Sequence, residues 1–371
     1  MGQLQTRLRQ VRLAAGLSQE ALARKAEISR QAYVAIERGV AVPSTEVALR
    51  LARALGTTVE QLFFLPEAAR PAVVAELVGP PAPAAAQRVR LFRVGGRWLA
   101  QPLVGPTPGG AGLPWADGIA RPDPARPGYA TVELLGEERD AGRTVVMLGC
   151  DPAAALVAAA LRQRGVELVW TPTGSRAALE ALARGEAHVA GCHLLDLESG
   201  RYNFPWVTRL VPFACTVVGF AVWQQGFIVA PGNPLQIRDV GDLTRPGVRL
   251  VNREAGAGAR ILLDLLLARA GIPASAVAGY TCEVAGHLAV ADAVRAGLAD
   301  VGIGVQAAAI ARGLGFVPLG EERYDLVIPK HFLDLPGVAA LLDALRHPAL
   351  RRQVELLGGY DIAPMGVPAA A

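Results

Sequence analysis

The sequence predicts a multidomain chain: an all-α five-helix bundle at the N-terminus, an α/β unit on a mainly parallel sheet at the C-terminus, and a small β-rich segment between them. Three observations predict it. Apolar residues recur at helical spacing through roughly the first 65 positions. Short β-prone stretches (89–94, 98–103, 130–135) then alternate with dense Gly/Pro turns. From Thr144 the pattern becomes apolar strand, sharp turn and Ala-rich helix, and it repeats. The chain has 371 residues, 52% hydrophobic and 19% charged, which describes more than one folded domain and excludes global disorder. The divisions read as 1–66 for the helical domain, 67–88 for an Ala/Pro-rich linker around Pro80, Pro81 and Pro83, 89–143 for the β-rich segment, and 144–371 for the α/β domain.

In the first domain Leu4, Leu8, Val11 and Ala15 share one helix face, which Gly16 ends. Ser18 caps a second helix over 19–25, the turn 26–28 follows, and Ser29 caps a third over 30–38, closed by Gly39. This is helix, tight turn, helix. Tyr33 and Ile36 face inward, so Arg30, Gln31, Val34, Ala35 and Arg38 face outward. Pro43 and Ser44 open a fourth helix that Gly56 ends, and Thr58 to Gln61 has capping-box spacing for a fifth.

The run RLAAGLSQEALA (12–23) and the IERG end (36–39) resemble the XRE/Cro/C1 family of helix-turn-helix domains over residues 4–64. The resemblance implies that Arg30, Gln31 and Ala35 face bases from the recognition helix, while Gln19 and Arg38 hold backbone phosphates. The chemistry agrees: Arg pairs bidentately with guanine, Gln with adenine, and Val34 or Ala35 touches thymine methyls, with Ser29 at the helix start. The expected partner is double-stranded operator DNA, bound by a homodimer on half-sites about one helical turn, ~34 Å, apart. Charge is consistent with this. Residues 1–70 carry ten Lys or Arg against six Asp or Glu, whereas the remaining 301 carry 27 of each, so the whole net charge of +4 lies in the DNA-facing segment.

Cys150, Cys192, Cys215 and Cys282 form no C-x-x-C pair, which excludes a zinc ribbon and a disulfide framework. Arg7, Arg9 and Arg12 break any apolar leader, so the expected location is cytoplasmic. The apolar run 211–223 contains Pro212 and is shorter than the ~20 residues of a membrane span, so it reads as buried strand and no membrane partner is expected.

In the C-terminal domain the strand 145–148, the turn carrying Asp151 and Pro152, and the helix 153–164 form one βα unit; 168–170, Thr173, Ser175 and 176–184 form the next. Ligands of such sheets lie beyond the strand C-termini, against helix starts. The stretches GFIVAPGNP (226–234), VNREAGAGAR (251–260) and HLAVADAVRAGLADVGIG (287–304), with GCHL (191–194) and FVPLGEERYDLVIP (316–329), resemble the periplasmic-binding-protein-like domain related to molybdate-binding proteins. That implies a two-lobed, type II α/β fold with the second lobe at about 233–305, crossings near 230–234 and 304–306, and hinge closure on a ligand. The expected ligand-binding residues are Asp151, Thr173, Ser175, His193, Asn252, Arg253, Gly256, Gly258, Arg260 and His287, and the ligand implied is an oxyanion such as molybdate or tungstate. The sequence departs from the family at Ala257, Ala259 and Gly286, where hydroxyl residues are common, which leaves a small organic anion as an alternative.

No catalytic residue, metal or cofactor is expected. Cys192 and His193 are strand neighbours that face opposite ways, and Lys330 is the sole lysine outside the first domain for a pyridoxal Schiff base. A metal or thiol sensor remains a second alternative, because Cys150, Cys192, His193 and His287 stand at the ends of different βα units.

Overall fold

The computed structural model describes residues 4–65, 70–79, 86–103, 114–137 and 140–369. The chain divides into two compact units, Met1–Pro71 and Ala72–Ala371.

The first unit holds the five expected helices: α1 (Leu8–Ala14), α2 (Gln19–Lys25), α3 (Arg30–Glu37), α4 (Thr45–Leu55) and α5 (Val59–Leu62). Ser18, Ser29 and Ser44 each accept a backbone N–H at the start of their helix, and Thr58 with Gln61 forms the capping box. Gly16, Gly39 and Gly56 end their helices at φ of 68°, 72° and 64°. The core is Leu8, Leu22, Tyr33, Ile36, Leu51 and Leu62. Leu4 falls outside the first helix: β1 (Gln5–Thr6) pairs with β2 (Phe63–Phe64), and Thr6 Oγ1 accepts the Leu8 N–H at 3.0 Å, so the helix starts four residues later than its apolar spacing indicates.

The second unit opens with β3 (Ala72–Leu77), β4 (Gln87–Val94), β5 (Arg97–Pro102), β6 (Gly118–Pro122) and β7 (Tyr129–Leu134), which close into a barrel in the order β3-β5-β4-β6-β7. The expected linker at 67–88 is therefore in part a barrel strand, while the proline cluster at 80–83 lies outside the described residues. Composition hid β3 because the barrel interior needs small side chains: Ala75, Ala100, Ala120 and Ala130 fill it with Val89, Leu91 and Val132. Phe92, Val94 and Leu99 point the other way, into the core of the α/β region. Arg97 Nη2 donates to the carbonyls of Arg184 and Gly185 at 2.8 Å, and Arg90 pairs with Glu167 at 3.2 Å. The barrel is thereby fastened to the α/β part.

That part is one nine-stranded sheet. Its first half carries β8 (Thr144–Leu148), β9 (Glu167–Thr171) and β10 (Val189–Cys192) in parallel, with α6 (Ala154–Arg162), α7 (Ser175–Ala183) and α8 (Phe204–Leu210) in the same stretch of chain. A ribbon of two 15-residue antiparallel strands, β11 (Cys215–Val229) and β15 (Gly315–Pro329), runs through the middle. Beyond it lie β12 (Leu250–Arg253), β13 (Glu283–Val284) and β14 (Val301–Val305), again parallel, with α9 (Gly258–Arg269), α10 (His287–Arg295) and α11 (Gln306–Ala311). α12 (Pro336–Arg346), α13 (Pro348–Glu355) and β16 (Tyr360–Asp361) return to the first half, with β16 on β11. The main core fills the first half and runs on into the second through Val251, Val290, Val294 and Val305, and a smaller cluster in the second half is built on Phe227, Leu250, Leu263, Val301 and Ile303. Of the positions expected as crossings, 230–234 follow the end of β11 and 304–306 span the end of β14 and the start of α11, and the ribbon itself joins the lobes.

One acid-sensitive group sits under the first lobe. The His188 Nδ1 accepts the Val146 N–H at 3.0 Å and its ring stands edge-on to Phe332. Burial holds its pKa down at about 4. Between that value and the ordinary ~6.5 the unfolded chain binds the extra proton, so stability rises with pH across this window and is lost as pH falls. Urea unfolding should show about 3 kcal/mol less stability at pH 4 than at pH 7 from this residue, and His188→Gln should flatten the dependence by that amount.

Candidate nucleic-acid interface and ligand site

On α3, Arg30, Gln31 and Arg38 are exposed, and Val34 and Ala35 are half-exposed beside them. Ser29 Oγ accepts the Ala32 N–H at 3.1 Å, so its role in the structure is a cap. Gln19 is held rather than free: its Nε2 donates to Glu37 Oε2 at 2.5 Å. Glu37, missed in the sequence, is the hub of this domain. It also accepts from Arg12 Nε and from the Tyr33 hydroxyl, both at 2.7 Å, and its side chain is only 4% exposed. These bonds outweigh the burial that raises its pKa and hold Glu37 below the ordinary carboxylate range. They fix α3 to α1 and to the start of α2.

In the α/β part, strand ends and helix starts from both lobes meet at a buried polar centre. Cys150 and Asp151 follow β8, Ser175 starts α7, His193 follows β10, Asn252 and Arg253 end β12, and His287 starts α10. Asp151, Ser175, His193, Asn252, Arg253 and His287 are each at most 1% exposed. Cys150 Sγ lies 3.2 Å from His193 Nε2, and His193 Nδ1 lies 2.8 Å from Glu322 Oε2. Trp223 Nε1 and Gln225 Nε2 donate to the same carboxylate oxygen at 3.4 and 3.1 Å. Within the second lobe Arg253 Nη1 is 3.2 Å from His287 Nδ1, while its Nε and Nη2 donate to Glu254 at 2.8 and 2.9 Å.

The electrostatics follow from these contacts. Burial lowers the His193 pKa, but the Cys150 sulfur and Glu322 outweigh it and raise it to about 10. His287 is pushed well down by burial, then by Arg253 and His193, and stays neutral. Asp151 is raised to about 6 by burial, against hydrogen bonds from Tyr360 and the Ala153 N–H. Glu254 is held low: Arg253 and the Gly286 N–H overcome its burial.

Close backbone approach makes the centre possible. A Cβ on Gly258 would overlap His193, and one on Gly149 or Gly191 would overlap the Tyr324 hydroxyl. Gly286 sits at φ 86°, where glycine is favoured, which accounts for the absence of a hydroxyl side chain there.

Several expected ligand groups are committed elsewhere. The Thr173 hydroxyl donates to Thr171 O at 3.1 Å. Asn252 accepts the Arg253 N–H and donates to Tyr280 O. Arg260 is held by Asp264, Glu283 and the Arg253 carbonyl, and stacks on Tyr280 at 4.0 Å. Gly256, at φ 84°, turns the chain beside Arg176. Cys192 and His193 do not pair, as expected of strand neighbours; Cys192 Sγ donates to Asn203 Oδ1 at 3.0 Å. Cys150, expected only under the metal or thiol alternative, completes the centre with Glu254, Glu322 and Tyr324, which were not among the expected ligand residues.

A family model described as a PBP superfamily domain matches residues 158–346. The chain belongs to this family. A helix-turn-helix model matches residues 8–62, so the chain is a helix-turn-helix domain followed by a PBP superfamily domain, as the two resemblances imply. The uncharacterized protein YvgK of Bacillus subtilis (strain 168) is 36% identical over 191 residues, which are 51% of this chain and 61% of that protein. This chain thus spans less than two thirds of that relative. An uncharacterized HTH-type transcriptional regulator of Methanothermobacter thermautotrophicus is 42% identical over 65 residues, 17% of this chain and 94% of that protein. Among solved structures, the sulfate-binding protein SubI of Mycobacterium tuberculosis H37Rv aligns with 59% of this chain and 87% of its own, at 16% identity and a TM-score of 0.44. In the PBP superfamily domain of this chain the buried centre stands between the two lobes. No helix among the described residues is long and apolar enough to cross a membrane.

Proposed function

We propose that this chain is a one-component transcription regulator: it binds operator DNA through α3 as a homodimer in the cytoplasm and responds to a small ligand taken up between the two lobes. The observation that carries this reading is the covalent fusion of a helix-turn-helix domain to a two-lobed domain whose strand ends converge on one buried centre. Ligand that prefers the closed lobes changes operator affinity by linkage, and about 1–3 kcal/mol of coupling suffices. The barrel, fastened to the first lobe, is the mechanical connection on the sensor side. No chemical turnover is part of this reading.

For the ligand, molybdate or tungstate follows from the resemblance and is supported by Arg253 and by α7, α9 and α10, whose first turns have no side-chain cap. Against a dianion stand the carboxylates of Glu254, Glu322 and Asp151 at the same centre, with Glu254 already on Arg253 and the Gly286 N–H. An oxyanion has to displace Glu254 to reach those donors.

The test is operator binding by fluorescence anisotropy, with and without molybdate, tungstate, sulfate, phosphate and small organic anions, beside thermal unfolding of the full chain. A ligand at a hundred times its Kd adds about 2.7 kcal/mol of stability. Stabilisation by molybdate or tungstate, lost in Arg253→Ala, establishes the oxyanion; silence across the panel removes it. For the DNA side, Arg30→Ala and Gln31→Ala should each cost about 1–3 kcal/mol of operator affinity and relax base preference. Arg38→Ala should instead weaken all sequences alike and reduce the salt slope by about one.

A further inference from the structure

Three side chains at the centre form a constellation that an anion does not need. Cys150 Sγ and one ring nitrogen each of His193 and His287 lie within 4.8 Å of one another. All three are buried, with Cys150 at 3% and both histidines at 0% exposure. They come from three separate turns: Cys150 after β8 and His193 after β10 in the first lobe, His287 at the start of α10 in the second.

We propose that Cys150, His193 and His287 bind one transition-metal ion of the zinc class, which takes thiolate with imidazole, and that this ion ties the two lobes together. The proposal rests on the sensor reading above and names the ligand class of that same centre. One sulfur and two nitrogens suit zinc, cobalt or copper and are foreign to magnesium or calcium. Metal–sulfur and metal–nitrogen bonds of about 2.3 and 2.0 Å leave tetrahedral ligand atoms about 3.5 Å apart. Cys150 Sγ and His193 Nε2 already stand at 3.2 Å.

The surroundings fit as well. His193 gives its other ring nitrogen to Glu322 at 2.8 Å, the carboxylate–histidine arrangement that orients a metal-binding imidazole. Glu322 is itself steadied by Trp223 and Gln225, so it acts as a positioning residue. Among the described residues His287 Nε2 is buried with no hydrogen-bond partner. Loading through that atom moves the ring proton to Nδ1, and Arg253 Nη1 gives up its contact there while Nε and Nη2 keep Glu254. The proton held between Cys150 Sγ and His193 Nε2 leaves to solvent on loading, and the Cys150 thiolate and the Glu322 carboxylate then together balance a divalent ion. Arg253 has Glu254 as its counter-charge and also interacts with the Cys150 sulfur in the metal-free centre, a contact that loading has to displace.

The test uses the full-length, tag-free chain stripped with EDTA and titrated with Co2+, followed by Zn2+ competition. The expected result is one Co2+ per chain, with the sulfur-to-cobalt charge-transfer band and strong d–d bands of a four-coordinate site, displaced by Zn2+. Cys150→Ser should abolish the charge-transfer band, and Cys282→Ser, at an exposed position, should leave it intact. Glu322→Gln should keep the spectrum and weaken binding about ten- to a hundredfold, as outer-shell partners do. Absence of a one-to-one thiolate–cobalt band in the unaltered chain overturns the proposal, and so does a band that survives Cys150→Ser. Should Cys150→Ser fail to fold, His287→Gln takes its place, and unchanged cobalt spectra there overturn the site. Operator affinity measured with and without Zn2+ separates the two readings. A metal site that leaves operator binding unchanged refutes the linkage alone, whereas ligand-responsive operator binding without any cobalt site refutes the metal alone.

Discussion

Glu37→Ala is expected to destabilise the helix-turn-helix domain by about 3–5 kcal/mol, the range for removing one partner of a buried ion pair. The size follows from what is left behind. Arg12, 7% exposed, loses its counter-charge, the Tyr33 hydroxyl loses its acceptor inside the core, and Gln19 loses the group that holds it. A domain of about 65 residues has little reserve against such a loss. Chemical denaturation followed through this domain should show it unfolding first, and operator binding should vanish even though Glu37 touches no base in the proposed interface. Glu37→Gln keeps an acceptor and should cost clearly less. The pH dependence has a fixed sign: a carboxylate held below its ordinary value stabilises the fold above ~4.3 and loses that contribution as pH falls through the lowered value. A Glu37→Ala domain as stable as the parent would refute the hub assignment.

The second large effect is expected at Gly149→Ala. Its new methyl would overlap the Tyr324 hydroxyl and press on the Gly191 backbone at 3.1 Å. Overpacking of this kind costs about 1–3 kcal/mol, and the residues that would have to give way are Tyr324 in β15 and Gly191 in β10, next to the turns holding Cys150 and His193. Ligand response should therefore fall together with stability. The hydroxyl is the obstacle, and among the described residues it is buried with no side-chain hydrogen-bond partner. Tyr324→Phe alone should be close to neutral, and Gly149→Ala with Tyr324→Phe should recover most of the loss. Gly191→Ala makes the contrast: a Cβ there meets the Tyr324 ring as well as its hydroxyl, so Tyr324→Phe should rescue it poorly. Thermal unfolding of these three single and two double variants checks all of this, and additive effects at Gly149 and Tyr324 would show that the two positions do not touch.

The sequence made some parts of this molecule plain and concealed others for identifiable reasons. Ser18, Ser29, Ser44 and Thr58 announced helix starts because capping is local chemistry, readable within four residues. Asp151, Ser175, His193, Asn252, Arg253 and His287 could be picked out because each stands where a strand hands over to a helix. Their bonding could not. Thr173 and Asn252 spend their polar atoms on nearby backbone, a choice that depends on turn geometry. Glu322 lies in mid-strand, 129 residues from His193, where period-two alternation gives a face but not a partner. Glu37 has the same character within its domain: an ordinary polar position at the end of α3 by pattern, and a nearly buried hub by packing. The β-rich segment was legible from 89 onward, but β3 was concealed by the Ala/Pro composition of the expected linker, where Ala75 turns out to fill the barrel interior.

In the sensor proposed above, the ribbon of β11 and β15 sets how the lobes would move. Two strands hydrogen-bonded over 15 residues, broken only by register shifts at Gly219/Ala221 and Gln225/Gly226, offer no slack joint between the lobes. Any parting of the halves must be stored as twist along the pair, concentrated at those irregularities, one of which adjoins Gln225 beside Glu322. The device is a torsion bar. Its stiffness, set by backbone pairing far from any ligand atom, fixes how much binding energy becomes displacement and how quickly the halves spring back once the site empties.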